Sequence, residues 1–284
     1  MIRLDVATLL LQWATGGLAF LWVTTRRREV GLGYGWLMRA TFGLMALLAA
    51  LAGRASHPDA ARDLLALATT LAAGGVLAVS IARRRAGVAG QHAVQERRSA
   101  RVAAMTGIDR AAPSHDSSLP EFPPALDLVA PAVGALACVA AALDAGGPPP
   151  LAIARTLVGA AFLGAVTDAM LLGHWYLVQP GLARGPLLEL VRWVGVTWPF
   201  EVLVLLVPTG MLSVWSGAVD DGWKGMLGWF WAACALTTIG LVVVTRAALR
   251  ERQYSAVMAA TGLLYLAILT AFGTDLVARA VLSA

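Results

Sequence analysis

Residues 4–28 read LDVATLLLQWATGGLAFLWVTTRRR, an apolar run that ends in three consecutive arginines. A helix of about twenty residues spans the ~30 Å hydrocarbon core of a bilayer. Backbone N–H and C=O groups in lipid must bond to one another, so this run predicts a transmembrane helix. The three arginines follow the apolar run, which is the charge order of a retained anchor with its N-terminus outside, and we find no convincing signal-peptide cleavage pattern.

The same pattern recurs along the chain. Of its 284 residues, 58% are apolar and 14% are charged, whereas soluble domains carry about 25% charge; the mean hydropathy is +0.71. We therefore predict an all-α fold, a polytopic transmembrane helical bundle in which residues 1–284 form a single integral membrane domain. Eight spans are expected, at Leu4–Thr25, Leu32–Ala52, Leu64–Ala82, Ala125–Leu143, Ala152–Val178, Leu187–Val214, Met226–Val244 and Tyr254–Val281.

The basic residues divide unevenly between the two sets of loops. With eight spans, fifteen of the 22 Lys and Arg residues lie on the side of Arg26, six lie on the other side, and Arg39 lies within a span. Since cytosolic loops are enriched in Lys and Arg, the first side is assigned to the cytosol, and both termini are expected outside a bacterial cytoplasmic (inner) membrane. The net charge of +5 is thus interpreted as a signal of orientation, and no nucleic-acid partner is expected.

The longest connection is a basic cytosolic loop, residues 83–124, between the third and fourth spans. Its first part, Ala86 to Arg110, has a helix-forming composition, and its second part, Pro113 to Pro124, is typical of a linker. Two interpretations stay open: a basic helix on anionic lipid headgroups, or a docking surface for a partner. All other connections are short, so any activity is expected in the bundle or at its rims.

Polar residues of the fifth span are the first functional candidates, because an ionisable side chain in a membrane costs about 2.5–3.5 kcal/mol on insertion scales. Asp168 lies near the middle, and the sequence LGHWYLVQP follows at 172–180. We predict that His174 and Tyr176 hydrogen-bond a quinone-like ligand and that Trp175 stacks on its ring. Asp168 and Trp175 share one helix face, from which His174 points about 120° away. The alternative is an aromatic belt at the membrane interface.

The sixth span carries a matching stripe at every fourth residue, formed by Glu189, Trp193, Thr197 and Glu201. Arg192 lies at its cytosolic rim. Pro199 and Pro208 each free the carbonyl four residues earlier, which makes the backbone near the last glutamate locally polar. The stripe indicates either a proton path from the cytosol toward mid-bilayer or a helix kink with one internally satisfied carboxyl group.

Two further features concern charge pairing within the spans. Asp275 and Arg279 are four residues apart with the acid first, the favourable order for an ion pair within one helix. Arg39, in the second span, is expected either to extend toward the cytosol or to neutralise Glu201 or Asp168.

Metal and haem chemistry are not indicated. A bis-histidine haem needs two histidines at depth, and His174 is the only histidine within a predicted span. The two cysteines, Cys138 and Cys234, have no metal-binding spacing and are interpreted as packing residues.

Three functions fit these features. The leading hypothesis is a quinone- or lipid-interacting membrane subunit of a bacterial redox or energy-transducing complex, without its own haem or iron–sulfur centre. In architecture alone it resembles the quinone-interacting anchor subunits of bacterial respiratory complexes. The rivals are a small-solute or proton transporter that uses Asp168, Glu201 and Arg39, and a structural or assembly subunit. Membrane lipids and other subunits of a complex are the expected partners.

Overall fold

The computed structural model describes residues 4–88, 118–179, 182–251 and 253–283, together with 90, 96, 99, 100 and 104. Within these residues the chain is helical and contains no strand, so the all-α prediction is confirmed there. The long helices are α1 Val6–Thr25, α2 Leu32–Ser56, α3 Ala60–Ala82, α4 Val129–Asp144, α5 Pro149–Val178, α6 Gly185–Leu206, α7 Met226–Ala248 and α8 Tyr254–Leu282. Short helical turns occupy Arg84–Ala86, Pro124–Leu128 and Leu212–Trp215. Most of the predicted loop 83–124 lies outside the described residues.

Seven of the described helices are long and apolar enough to cross a membrane, with α4 counted together with the turn that precedes it. The remaining one, α6, has 22 residues and carries Glu189, Arg192 and Glu201. It also ends at Leu206, whereas the predicted sixth span continued to Val214. The helix stops because Val207 adopts an extended backbone with ψ of 144° and the next residue, Pro208, has no N–H to continue the ladder.

Helices α1 and α5 form the centre of the bundle. In their most apolar stretches, 67% of the α1 residues and 78% of the α5 residues are buried inside the protein, the highest shares among the segments that could cross a membrane. Their backbones touch: a Cβ atom on Gly16 would lie 1.8 Å from the carbonyl oxygen of Ala160, and one on Gly164 would lie 2.1 Å from the carbonyl carbon of Gly16. Helices associate in lipid through such close packing of small residues.

The connections on the arginine-rich side meet at one end of the bundle. Glu189 at the start of α6 pairs with Arg26 and Arg27, which follow α1. The guanidinium of Arg184, before α6, donates to the carbonyl of Gln253, before α8, at 2.8 Å. Arg250, after α7, borders the same cavity as Arg27. We call this the basic end, because arginines from three connections lie there.

The other connections meet at the opposite end. Arg62 at the start of α3 donates to the Asp5 carboxylate, which caps α1, at 3.0 Å. Near the start of α5, Arg155 donates to the carbonyls of Val204 and Val207 at 2.9 and 2.8 Å. Since these carbonyls lie at the end of α6, helices α5 and α6 run antiparallel over the full length of α6.

Candidate functional site

Arg39 is paired with Asp127, in the turn before α4, and with neither carboxyl group proposed from the sequence. Its Nε and Nη2 donate to the two carboxylate oxygens at 2.7 and 2.8 Å, and both side chains are at most 2% exposed. The guanidinium also lies 4.5 Å from the centre of the Phe122 ring, a cation–π distance. The prediction that Arg39 neutralises Glu201 or Asp168 is therefore wrong, because a buried acid of another element holds the guanidinium. Its extension toward the cytosol stays a prediction, since Asp127 lies in the turn before α4 and Arg39 borders a cavity that it shares with Arg28.

A second buried charge group joins α1 and α8. Arg279 Nε donates to Asp275 Oδ2 at 2.6 Å, its Nη2 donates to Gln12 Oε1, and Gln12 Nε2 donates to Asp275 Oδ1 at 3.4 Å. Gly159 of α5 leaves the space for this contact, since a Cβ atom there would lie 2.1 Å from Gln12 Nε2. The intrahelical pair is thus one part of a polar contact between α1 and α8, and α5 packs closely against it.

Glu201 of α6 lies beside this group. It is 1% exposed, neither of its carboxyl oxygens has a hydrogen-bond partner within the described part of the chain, and it is in electrostatic range of Asp275 and Arg279. We refer to Gln12, Glu201, Asp275 and Arg279 as the Arg279 cluster. Because α6 ends at Leu206, Glu201 lies about 8 Å from that helix end, and its position near mid-bilayer stays a prediction.

Asp168 is the other buried carboxyl group that lacks a hydrogen-bond partner among the described residues. The hydroxyl of Tyr34 donates to its backbone carbonyl at 3.5 Å, and the same tyrosine ring meets Trp175 edge-on at 5.8 Å. Asp168 and Trp175 therefore face α2 together. Nine residues separate Asp168 from Gly159, so it lies about 13 Å along α5 from the Arg279 cluster.

The predicted quinone-contacting side chains of α5 point in different directions. His174 is exposed on the bundle surface, and its Nδ1 lies 3.2 Å from the hydroxyl of Tyr265 on α8. Tyr176 is buried and donates to the carbonyl of Ala183 in the following loop. Trp175 faces inward toward α2. These three residues do not line one pocket, because consecutive helix positions differ in direction by about 100°.

The four residues of the α6 stripe lie in different surroundings. Glu189 is occupied by two arginines at the basic end, Trp193 is 37% exposed and lies edge-on to Phe20 at 5.9 Å, and the Thr197 hydroxyl donates to the carbonyl of Trp193 at 2.9 Å. Arg192 is exposed at the basic end. The stripe thus holds one isolated buried carboxyl group, Glu201.

Sequence reasoning missed three buried arginine contacts. Arg62 pairs with Asp5 and Asp63, Arg155 caps the end of α6, and Arg39 pairs with Asp127. A usable signal was present: each ion-pair partner was predicted at the same end of the bundle as its arginine. Charges at equal depth on neighbouring helices are candidates for pairing, but the sequence did not say which helices are neighbours.

The fold and its buried charges define a multi-pass helical membrane protein. Among the described residues, no three His, Cys, Asp or Glu side chains come together to hold a metal ion. Comparisons with protein-family models, curated proteins and solved structures gave no match. The chemistry of the buried groups therefore has to carry the functional argument.

Proposed function

We propose that this chain is an eight-span protein of the bacterial inner membrane that translocates protons through the Arg279 cluster. The observation that carries the proposal is Glu201: a fully buried carboxyl group without a hydrogen-bond partner in the described part of the chain, in electrostatic range of the buried Arg279. Structural acids in this bundle, such as Asp127, are bonded to arginines. Glu201 is not, so a purely structural role does not account for it.

The proposed topology has the basic end in the cytosol. Helix α6 runs antiparallel to α5 over its full length, which supports it as the eighth crossing. The arginine-rich connections collect at one end of the bundle, which supports both termini on the other side of the membrane. The proposal keeps the whole chain as one membrane domain.

The proposed proton site follows from desolvation. An ionised carboxylate without a partner is strongly unfavourable in an apolar interior, so Glu201 is proposed to rest as the neutral acid. When its proton leaves, the nearest compensating cation is Arg279, which already interacts with Asp275 and Gln12. A shift of the guanidinium between two carboxylates lets Glu201 release and regain a proton. Asp168 provides a second proton-binding position nearer to the basic end.

A liposome assay tests this function. Purified protein is reconstituted with an entrapped pH dye, and a potassium diffusion potential drives protons inward. The wild type is expected to acidify the lumen well above protein-free liposomes, and Glu201→Gln, which keeps the shape of the side chain, is expected to lower that flux at least tenfold. The matched control is Glu251→Gln in an exposed connection. Equal fluxes of wild type and Glu201→Gln, or no flux above empty liposomes, would refute the proposal.

A quinone-binding membrane subunit is the second candidate, and the His174–Tyr265 pair favours it. The pair lies on the bundle surface, where Nδ1 of the histidine meets the tyrosine and Nε2 has no bond among the described residues. An unsatisfied imidazole nitrogen facing lipid is unfavourable, and a quinone carbonyl would satisfy it. Such a subunit would receive electrons from a partner protein.

Fluorescence quenching tests the second candidate. A short-chain ubiquinone titrated into the purified protein should quench the neighbouring Trp175, and His174→Ala should weaken the apparent affinity about tenfold. His57→Ala, in the exposed connection after α2, is the control. If quenching is unchanged in His174→Ala, the surface pair is not a quinone site.

A further inference from the structure

A basic cavity at the basic end lies between α6, α7 and the residues that follow α1. Its volume is about 380 Å³, and its charged lining consists of Arg27, Arg192, Arg246, Arg250 and Glu189. One acid among four arginines gives the opening an excess of positive charge. A cluster of this kind has to be balanced by solvent ions or by a bound anion.

Most of this positive charge has no internal partner. Glu189 is already occupied by Arg26 and Arg27. The side chains of Arg192, Arg246 and Arg250 have neither an ion pair nor a hydrogen bond within the described ranges of the chain, and all three residues are exposed. Arg246 lies in the last turn of α7, and Arg250 lies two residues beyond the end of that helix, so both guanidinium groups border the cavity from one connection.

The surface that leads away from the cavity is apolar. An adjoining cavity shares Glu189 and Arg192 and continues along α6 past Trp193 and Val196. Further toward the opposite end, Phe200 of α6 is 55% exposed and Val243 of α7 is 62% exposed. Helices α6 and α7 are in close contact beneath this surface, since a Cβ atom on Gly195 would lie 3.6 Å from Val242.

We infer that this cavity binds the phosphate of an anionic phospholipid, with the acyl chains along α6 and α7. Guanidinium groups bind phosphate through paired charge-assisted hydrogen bonds, and the three arginines without partners supply them. The apolar surface beside the cavity favours a lipid over free phosphate, because acyl chains can pack against the exposed side chains of α6 and α7 whereas free phosphate cannot. The inference does not depend on proton flux, and the lipid would be a structural or regulatory ligand of the membrane protein.

Lipid retention measured by native mass spectrometry tests the inference. The protein is released from nanodiscs that contain equal amounts of phosphatidylglycerol and phosphatidylcholine. The wild type is expected to retain one phosphatidylglycerol molecule, and the double variant Arg246→Gln/Arg250→Gln to bind it about thirty-fold more weakly, since each basic residue near an anionic headgroup contributes several-fold. This variant leaves the Arg27–Glu189 pair intact.

The matched control is Arg54→Gln/Lys224→Gln. It removes the same charge from exposed positions at the opposite end of the bundle, and retention is expected to stay at the wild-type level. Equal losses in both variants would show only general attraction to the bilayer and would overturn the inference. Binding of inorganic phosphate to delipidated protein with the same arginine dependence, without retention of phosphatidylglycerol, would assign a free-phosphate site and would overturn it as well.

Discussion

The buried pair of Arg39 and Asp127 gives the sharpest test of how this bundle is held together. The two side chains share two short hydrogen bonds and are at most 2% exposed. Removal of one partner from a buried ion pair costs about 3–5 kcal/mol, because the remaining charge stays uncompensated. Arg39→Gln and Asp127→Asn are therefore both expected to destabilise the protein strongly.

The surroundings predict which variant is worse. In Asp127→Asn, Arg39 keeps the Phe122 ring and borders a cavity that also contains Glu121, so it can relax toward another acid, and we expect a cost of about 3 kcal/mol. In Arg39→Gln, Asp127 retains the Thr25 hydroxyl at 2.8 Å but no cation. We expect a larger cost there, of about 4 kcal/mol.

Unfolding in detergent, followed by tryptophan fluorescence over a denaturant titration, measures these costs. The double variant Arg39→Gln/Asp127→Asn leaves no unpaired charge, so its cost should fall below the sum of the single costs by at least about 2 kcal/mol. The control Arg54→Gln, exposed in the last turn of α2, should change stability by less than about 0.5 kcal/mol. Single costs below about 1 kcal/mol, or strict additivity, would refute the reasoning.

Three further outcomes are expected. Gly16→Ala should destabilise the protein by about 1–3 kcal/mol, since the new methyl group would overlap a carbonyl oxygen of α5. Gly74→Ala is the control, because a Cβ atom there has no atom within 4 Å, and it should be neutral or slightly stabilising in the same denaturant titration. Equal effects of the two substitutions would contradict the close packing. Gly159→Ala should displace the glutamine of the Arg279 cluster and reduce proton flux in liposomes; unchanged flux would separate that contact from the transport path. Desolvation raises the pKa of Asp221 slightly, but hydrogen bonds from backbone N–H groups around the start of α7 outweigh it and hold the pKa below its usual value. Its support of that helix end should be present above about pH 4 and be lost as the pH falls through the lowered pKa. Hydrogen-exchange protection at residues 223–227, taken relative to the intrinsic exchange rate at each pH, should therefore fall in acid, and less so in Asp221→Asn than in the control Asp220→Asn. Protection that does not change with pH would contradict this.

The helices could be predicted from the sequence because hydropathy acts locally. The backbone N–H and C=O groups of an apolar run in lipid have to bond to one another. Each run therefore predicts a helix, whichever helices pack against it. Helix ends are less local: α6 stops at Leu206 because of an extended Val207 and a following proline, although apolar residues continue to Val214. The seven helices that are long and apolar enough to cross a membrane fall within the predicted spans to within several residues at each end.

The candidate site was predicted only in part. Glu201 and Asp168 could be predicted as buried acids, because the sequence alone shows an ionisable residue inside an apolar run. The partner of Arg39 was not, because Asp127 is 88 residues away and belongs to a turn at the edge of a predicted span. His174 and Tyr176 were predicted to contact one ligand, but they are two positions apart, about 200° around the helix, and they bond different neighbours.

Local hydropathy is therefore enough to predict that the chain is helical and multi-pass, and it locates the acids within the apolar runs. The tertiary structure decided which charges are paired and which are isolated. The physical reason is that pairing depends on which helices touch, and close contacts such as that between Gly16 and Gly164 set this. Arg39, Arg62, Arg155 and Arg279 all have buried contacts of their own. Glu201 and Asp168 are left as buried acids without a hydrogen-bond partner among the described residues.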